Sequence, residues 1–323
     1  MNADVSDVPA RAIRMGGDTR GGDRVIVDVD LGYSPDSALA LALAVCGLPV
    51  SLVVTSDEHG GERARLARHL LNALGRSNIP VVAGAELPGA ARRWVCDGIA
   101  PTSAPTPGSL VDAVRWVLRG RAQVHWVGLG PMSNLATVLA EIPAAVTKMH
   151  VTQTGGRPDP TPVAPPDHRL ALDPAAAAAV LRSGVDITFV LPELAQRAHL
   201  VDFPASTLHQ QLGRANGPRW ARTVRQCFTQ WYSAGYPHTM LYAPATVAFA
   251  AGLGFIRAGT QQPLDIDGTG RLRPDRRGAG KARLADTGRC ERIPRWLCER
   301  IDIAYATQLG GGIEPDLLHR RRV

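Results

Sequence analysis

Three carboxylates, Asp28, Asp30 and Asp36, fall within nine residues of each other in the stretch Val25 to Val45, VIVDVDLGYSPDSALALALAV. Acids this close can take a proton from water, accept hydrogen bonds from sugar hydroxyls, or share a cation. A single Asp at a strand end or helix start more often only caps the backbone. Three together shift that balance. The β-branched run Val25 to Val29 has the pattern of a strand buried on both faces, with Asp28 and Asp30 where it ends. Gly32, Ser34 and Pro35 turn the chain, and Asp36 or Ser37 caps the alanine and leucine helix that follows. In an open α/β sheet such a loop lies at the carboxyl edge of the strands, where ligands bind.

The elements that must hold this loop repeat the same rhythm. Val50 to Thr55 is a second buried strand running into the polar loop Ser56-Asp57-Glu58-His59. Glu62 to Leu74 is helical by the spacing of Leu66, Leu70, Leu71 and Leu74, and Ile79 to Ala83 is a third strand. Further strands are expected at Val124 to Leu129, Met149 to Thr154 and Val185 to Val190, with a helix at Ser109 to Leu118. A helical pattern covers Glu193 to Trp231, and another covers Ala243 to Ala251. A hairpin with strands around Leu264 to Ile266 and Ala282 to Leu284 precedes a closing helix at Trp296 to Ala306. Strands alternating with helices predict an α/β fold with a mostly parallel central sheet flanked by helices, and a C-terminal hairpin.

Four ordered motifs carry a family resemblance. Asp28-Val-Asp30-Leu-Gly32 followed by Asp36-Ser37-Ala resembles the signature of the inosine-uridine-type nucleoside hydrolases, DTDxG followed by DDA. Gly130-Pro131-Met132-Ser133-Asn134-Leu135-Ala136 resembles that family's GPLTNLA turn, and the Thr154-Gly155-Gly156 strand end resembles VxMGG. Asp167-His168-Arg169 before Asp173-Pro174 resembles EFNxxxDPEAA. The resemblance implies a nucleoside-hydrolase-like fold, a calcium ion held by acids, and a water activated by a neighbouring Asp. Asp36 takes the general-base position, Asp30 and the Leu129 carbonyl take calcium-ligand positions, and Asp28 supports Asp30.

Departures from the family pattern are as informative. Ser37 replaces the second Asp of DDA, and Tyr242-Ala243-Pro244 replaces His-Asp-Pro, so two ligand carboxylates are lost. The expected cofactor is none or a weakly bound calcium, although Asp57, Glu58 or Asp167 could rebuild a metal shell. Asp167 takes the position of a ribose-binding Glu, and Arg169 that of a ribose-binding Asn. The remaining candidate substrate contacts are Asp28, His59, Asn134, His238 and Tyr242. The Asn134 turn also caps a helix without any ligand, and Asp173-Pro174 reads as a helix cap. Arg93 and Trp94, and the Pro-rich stretch Arg157 to Pro166, are expected near the pocket mouth or in plain packing. The aromatic run from Trp231 to His238 either stacks on a ring or fills the core.

Composition sets the class. The chain of 323 residues carries a net charge of +7, almost entirely from dispersed Arg without interleaved aromatic residues, so no nucleic-acid partner is expected. Cys46, Cys96, Cys227, Cys290 and Cys298 lack CxxC spacing and point to a reducing cytoplasm. No apolar run reaches the ~18 to 20 residues of a membrane helix. Residues 1–22 are expected to be a disordered tail, 23–307 one domain and 308–323 a flexible tail. The function expected is an N-glycosidase hydrolysing the N-ribosidic bond of a nucleoside or nucleoside-like ligand, in a homo-oligomer. The alternatives are a non-catalytic ribosyl-binding member and a ribosyl-transfer enzyme.

Overall fold

The computed structural model describes residues 24–88, 96–100, 108–120, 123–156, 158, 165–197, 201–202, 206–236, 238–239, 241–275, 277–278, 280–289 and 291–308. The chain begins with β1 (Arg24–Val29), α1 (Pro35–Gly47), β2 (Val50–Thr55), α2 (Glu62–Ala73), β3 (Val81–Ala83), α3 (Leu110–Leu118) and β4 (Val124–Gly128). Next come α4 (Ser133–Glu141), α5 (Ala145–Lys148), β5 (Met149–Thr154), α6 (His168–Leu172), α7 (Pro174–Arg182) and β6 (Asp186–Val190). The last third holds α8 (Pro192–Arg197), β7 (Val201–Asp202), α9 (Thr207–Leu212), α10 (Arg219–Ser233), β8 (His238–Thr239) and α11 (Tyr242–Ala250). It ends with β9 (Ile256–Ala258), β10 (Gln262–Ile266), β11 (Leu272–Pro274), β12 (Gly280–Gly288) and α12 (Arg292–Gln308).

Strand order is β11-β10-β12-β6-β5-β4-β1-β2-β3, with β9 also paired to β12. The pairs from β3 across to β12 are parallel, and β9, β10 and β11 are antiparallel. β1 pairs with β2 on one side and β4 on the other, so the chain reverses its direction of travel beside β1. The connections leaving β1 and β4 therefore run to opposite sides of the sheet, and this switch point is the usual ligand position in open α/β sheets.

Side chains of β1 alternate between two cores. Val25, Val27 and Val29 join Leu39, Leu66 and Leu70 of α1 and α2, whereas Ile26 joins Trp126, Val138 and Val117 on the opposite face. Helix α1 is buried all round from Pro35 to Val45 because it lies between the sheet and α10 and α11. That position explains its apolar residues on every face.

Three sequence expectations are corrected. The cap of α1 is neither Asp36 nor Ser37: Ser34 is the N-cap, Pro35 is the first helical residue, and Asp36 lies in the first turn. The helical pattern from Glu193 to Trp231 is divided into α8, β7, α9 and α10, with Gly213 ending α9 and Pro218 capping α10. The strand expected at Ala282 to Leu284 is longer and does more than close a hairpin: β12 pairs parallel with β6 and joins the central sheet. Arg93, Trp94, Cys290, the two tails up to Asp23 and from Leu309, and most of Arg157 to Pro166 lie outside the described residues.

Candidate active site

The crevice is built from the backbone outward. Asn134, in the first turn of α4, is fully buried. Its Nδ2 donates to Asp28 Oδ1 at 3.0 Å and to the Thr55 carbonyl at 3.1 Å, and its Oδ1 accepts the Ala85 N–H at 2.9 Å. Its polar atoms are thus committed to tying β1, β2 and the loop after β3 together. Asn134 belongs to the framework, not to the substrate contacts expected from sequence. Burial pushes the Asp28 carboxyl up to about 8, against the lowering pull of the Asn134 amide. Asp28, bonded to Asn134 and buried, serves as internal support.

Asp30, also buried, is held by two neighbours. Its Oδ1 accepts the Ser37 hydroxyl at 2.7 Å, and its Oδ2 lies 3.5 Å from Arg169 Nε. That Oδ2 accepts no hydrogen bond among the described residues. Arg169 Nε donates to the Leu129 carbonyl at 2.6 Å, so the guanidinium bridges the loops after β1 and β4. Burial works against the Arg169 charge, but Asp30, Asp167 and Asp36 outweigh it and raise its pKa. Asp167 caps α6 by accepting the Arg169 N–H at 3.0 Å. Its carboxylate lies over Gly155, where an added Cβ would come within 2.6 Å of Asp167 Oδ1, so a side chain at 155 would displace it.

Asp36 faces the same space. One carboxylate oxygen accepts the Ser34 hydroxyl, and Oδ2 accepts the Ala243 N–H at 3.1 Å. Burial raises its pKa, opposed first by Arg169 and then by these two donors. A carboxylate so placed is a stronger base than one in water, and each oxygen keeps a further lone pair. Like-charge repulsion from Asp30 adds to the rise, and less than burial does.

The polar loop after β2 is a second arginine cradle. Arg63 is fully buried and donates to the Asp57 carbonyl at 2.5 Å, the Leu31 carbonyl at 2.5 Å and Asp57 Oδ2 at 2.7 Å. Sequence reading missed it, because an Arg in the first turn of a charged helix has the signature of a solvated face. Glu58 accepts the Thr55 hydroxyl and the Ala64 N–H, the latter at 2.8 Å, and caps α2. His59 Nε2 lies 3.9 Å from Asp57 Oδ2 and its side chain is 24% exposed. Tyr33 and His168 stack 4.1 Å apart, joining the loop after β1 to the start of α6.

Other expected contacts sit further out. His238 lies in the β7–β8 ribbon, where its carbonyl accepts the Trp231 indole N–H at 3.0 Å. Trp231 and Tyr236 stack on one another at 4.0 Å and Trp231 is buried, so this run packs internally. Tyr242, partly exposed, begins α11 directly before the Ala243 N–H that binds Asp36. Asp173 caps α7 by accepting the Ala176 N–H at 3.0 Å, as its sequence context implied, and also accepts the Ser133 hydroxyl at 2.6 Å.

The oxygens present do not fit a calcium ion, which takes six to eight oxygen ligands. The Leu129 carbonyl is bonded to Arg169, Asp30 Oδ1 is bonded to Ser37, and position 243 turns a donor inward. Asp57 and Glu58 are engaged by Arg63 and the start of α2, so they do not rebuild the shell. No set of three or more His, Cys, Asp or Glu side chains is arranged around a common point among the described residues.

Buried acids gathered at the switch point of a mostly parallel sheet stand where open α/β proteins usually take a ligand. The chain belongs to the inosine-uridine preferring nucleoside hydrolase family, whose sequence profile matches residues 25–290. A pyrimidine-specific ribonucleoside hydrolase RihA from Photobacterium profundum is 28% identical over 199 residues, which is 55% of this chain and 63% of that protein. The match thus spans less than two thirds of that relative. A purine-preferring ribonucleoside hydrolase from Gardnerella vaginalis superposes with a TM-score of 0.72 at 17% identity, covering 88% of this chain and 100% of that one. An inosine-uridine preferring nucleoside hydrolase from Bacillus anthracis gives 0.69 at 15% identity, covering 86% and 99%. These two structures share the fold.

Proposed function

We propose that the protein is an N-glycosidase that hydrolyses the N-ribosidic bond of a nucleoside or nucleoside-like compound. The observation that carries this is Asp36: a buried carboxylate with raised basicity, held by Ser34 and the Ala243 N–H close to Arg169, the cation that Asp30 and Asp167 also flank. Family membership and the curated relatives favour hydrolysis over the non-catalytic and ribosyl-transfer alternatives.

In this reading a water oxygen attacks the anomeric carbon while the C–N bond breaks, and Asp36 takes the proton the water loses. The bonding pair leaves with the base. Positive charge develops on the ribosyl ring as in glycoside cleavage generally, and the carboxylates of Asp30, Asp36 and Asp167 oppose it. The unbonded Asp30 Oδ2 and the Asp167 carboxylate are the hydroxyl acceptors for the sugar. His59 and Tyr242, both partly exposed, are the side chains assigned to the base in this reading.

A cytoplasmic homo-oligomer belongs to the same proposal. The first part is supported by five cysteines without CxxC spacing, and the second by the family resemblance alone. No helix among the described residues is long and apolar enough to cross a membrane. The test is a panel of purine and pyrimidine nucleosides with free ribose and base measured by chromatography. Stoichiometric release of both from any member supports hydrolysis, and no release from any member contradicts it.

A further inference from the structure

Cation sites are built from acceptors, and in this crevice donors have taken their place. Ser37 presents a hydroxyl to Asp30 at 2.7 Å, and Ala243 presents its N–H to Asp36 at 3.1 Å. Arg169 supplies the third donor, 2.6 Å from the Leu129 carbonyl and 3.5 Å from Asp30 Oδ2. The two loops after β1 and β4 thus converge on a guanidinium. The Leu129 carbonyl and Asp30 Oδ2 both have Arg169 beside them.

We propose that the Arg169 guanidinium is the resident cation of this site, standing on the oxygens a calcium ion would take, so that the protein holds its crevice together without a metal. The argument is one of charge and geometry. Carboxylates buried together repel one another unless a positive charge lies among them, and a guanidinium supplies that charge on a covalent stem with a planar fork of donors. A metal entering the crevice would have to displace Arg169 from Leu129 and leave it buried without its acceptors. It would gain one free carboxylate oxygen in return. Calcium affinity scales with carboxylate number, so the exchange is unfavourable. Arg169 has a consequence for chemistry as well: an arginine orients and neutralises but does not bind a water as a ligand, which leaves proton removal to Asp36.

This inference shares its location with the proposed ribosyl site, but its test does not use turnover. The full-length protein is stripped with a chelator, then titrated with calcium chloride by calorimetry and by thermal unfolding. For the parent, no binding heat and an unchanged Tm in millimolar calcium are expected. Arg169→Ala leaves Asp30, Asp36 and Asp167 without their cation, and the expected result is a lower Tm without calcium and a calcium-dependent rise that the parent lacks. Arg169→Lys keeps a charge there and should show a smaller rise than Arg169→Ala. One calcium bound per parent chain with a rise in Tm overturns the proposal, and so does a folded Arg169→Ala protein indifferent to calcium. If Arg169→Ala does not fold, the parent titration decides alone. A protein inert toward nucleosides but indifferent to calcium would refute the hydrolase reading and leave this one standing.

Discussion

Replacing Arg63 by Met keeps most of the buried stem and removes only the guanidinium. The structure shows what that deletes: bonds at 2.5 Å to the Asp57 carbonyl, 2.5 Å to the Leu31 carbonyl, and 2.7 Å to the Asp57 carboxylate, all in a fully buried setting. Each buried acceptor left unpaired costs about 1–3 kcal/mol, and breaking one side of a buried ion pair costs about 3–5 kcal/mol. The sum is not reached, because Asp57 can take up a proton: burial already raises its pKa, and Arg63 is the first influence holding it down. A loss of about 3–5 kcal/mol at neutral pH is expected, read from urea unfolding. The cycle with Asp57→Asn separates the ion pair from the carbonyl bonds. Asn suits position 57, where φ is 53°, because it tolerates the left-handed region. A coupling of about 2 kcal/mol is expected between the two sites. A loss below about 1 kcal/mol for Arg63→Met, with the two changes additive within about 0.5 kcal/mol, would refute the cradle.

Asn134→Ala orphans the Ala85 N–H, while the Thr55 carbonyl keeps the Gly84 N–H at 2.9 Å, and should lower unfolding free energy by about 1–3 kcal/mol in the same assay. Asp173→Ala removes the cap of α7 and should cost about 1 kcal/mol. His125, bonded to the Thr152 hydroxyl at 2.8 Å, has its pKa lowered from 6.5 to about 4, by burial first and His150 second. The folded state therefore binds fewer protons than the unfolded chain, so this stability is present above the unfolded value and is lost as pH falls toward the folded one. The loss amounts to at most about 3–4 kcal/mol, and His125→Gln should flatten the fall in unfolding midpoint between neutral and acid pH.

Much of this was legible before the fold was in view. Strand β1 declared itself by a β-branched run buried on both faces, and the positions of Asp28, Asp30 and Asp36 followed from where that run ends. Asp173 was readable as a cap because capping is a local event. Arg63 and Arg169 were harder for one shared reason. Their burial is imposed by loops far away in sequence: Leu31 and Asp57 around Arg63, and Leu129 and Asp30 around Arg169. Periodicity carries no record of such partners. Arg169 was read as a substrate contact at a ribose-binding position, and its bond to the Leu129 carbonyl needed coordinates. The break between α8 and α10 was hidden by apolar spacing that continues across Gly213 and Pro218, although a Gly and a Pro five residues apart are signals for a stop and a start.

The most direct test of the hydrolytic account is Asp36→Asn, measured as ribose release from whichever nucleoside the parent cleaves. The Asn carbonyl can still accept the Ala243 N–H, and the Ser34 hydroxyl can turn to accept from the amide, so the loop is kept while the base is removed. Release should fall at least ~100-fold, the usual contribution of a positioned general base, with nucleoside binding by calorimetry largely unchanged. An Asp36→Asn protein that releases ribose at the parent rate would contradict the account.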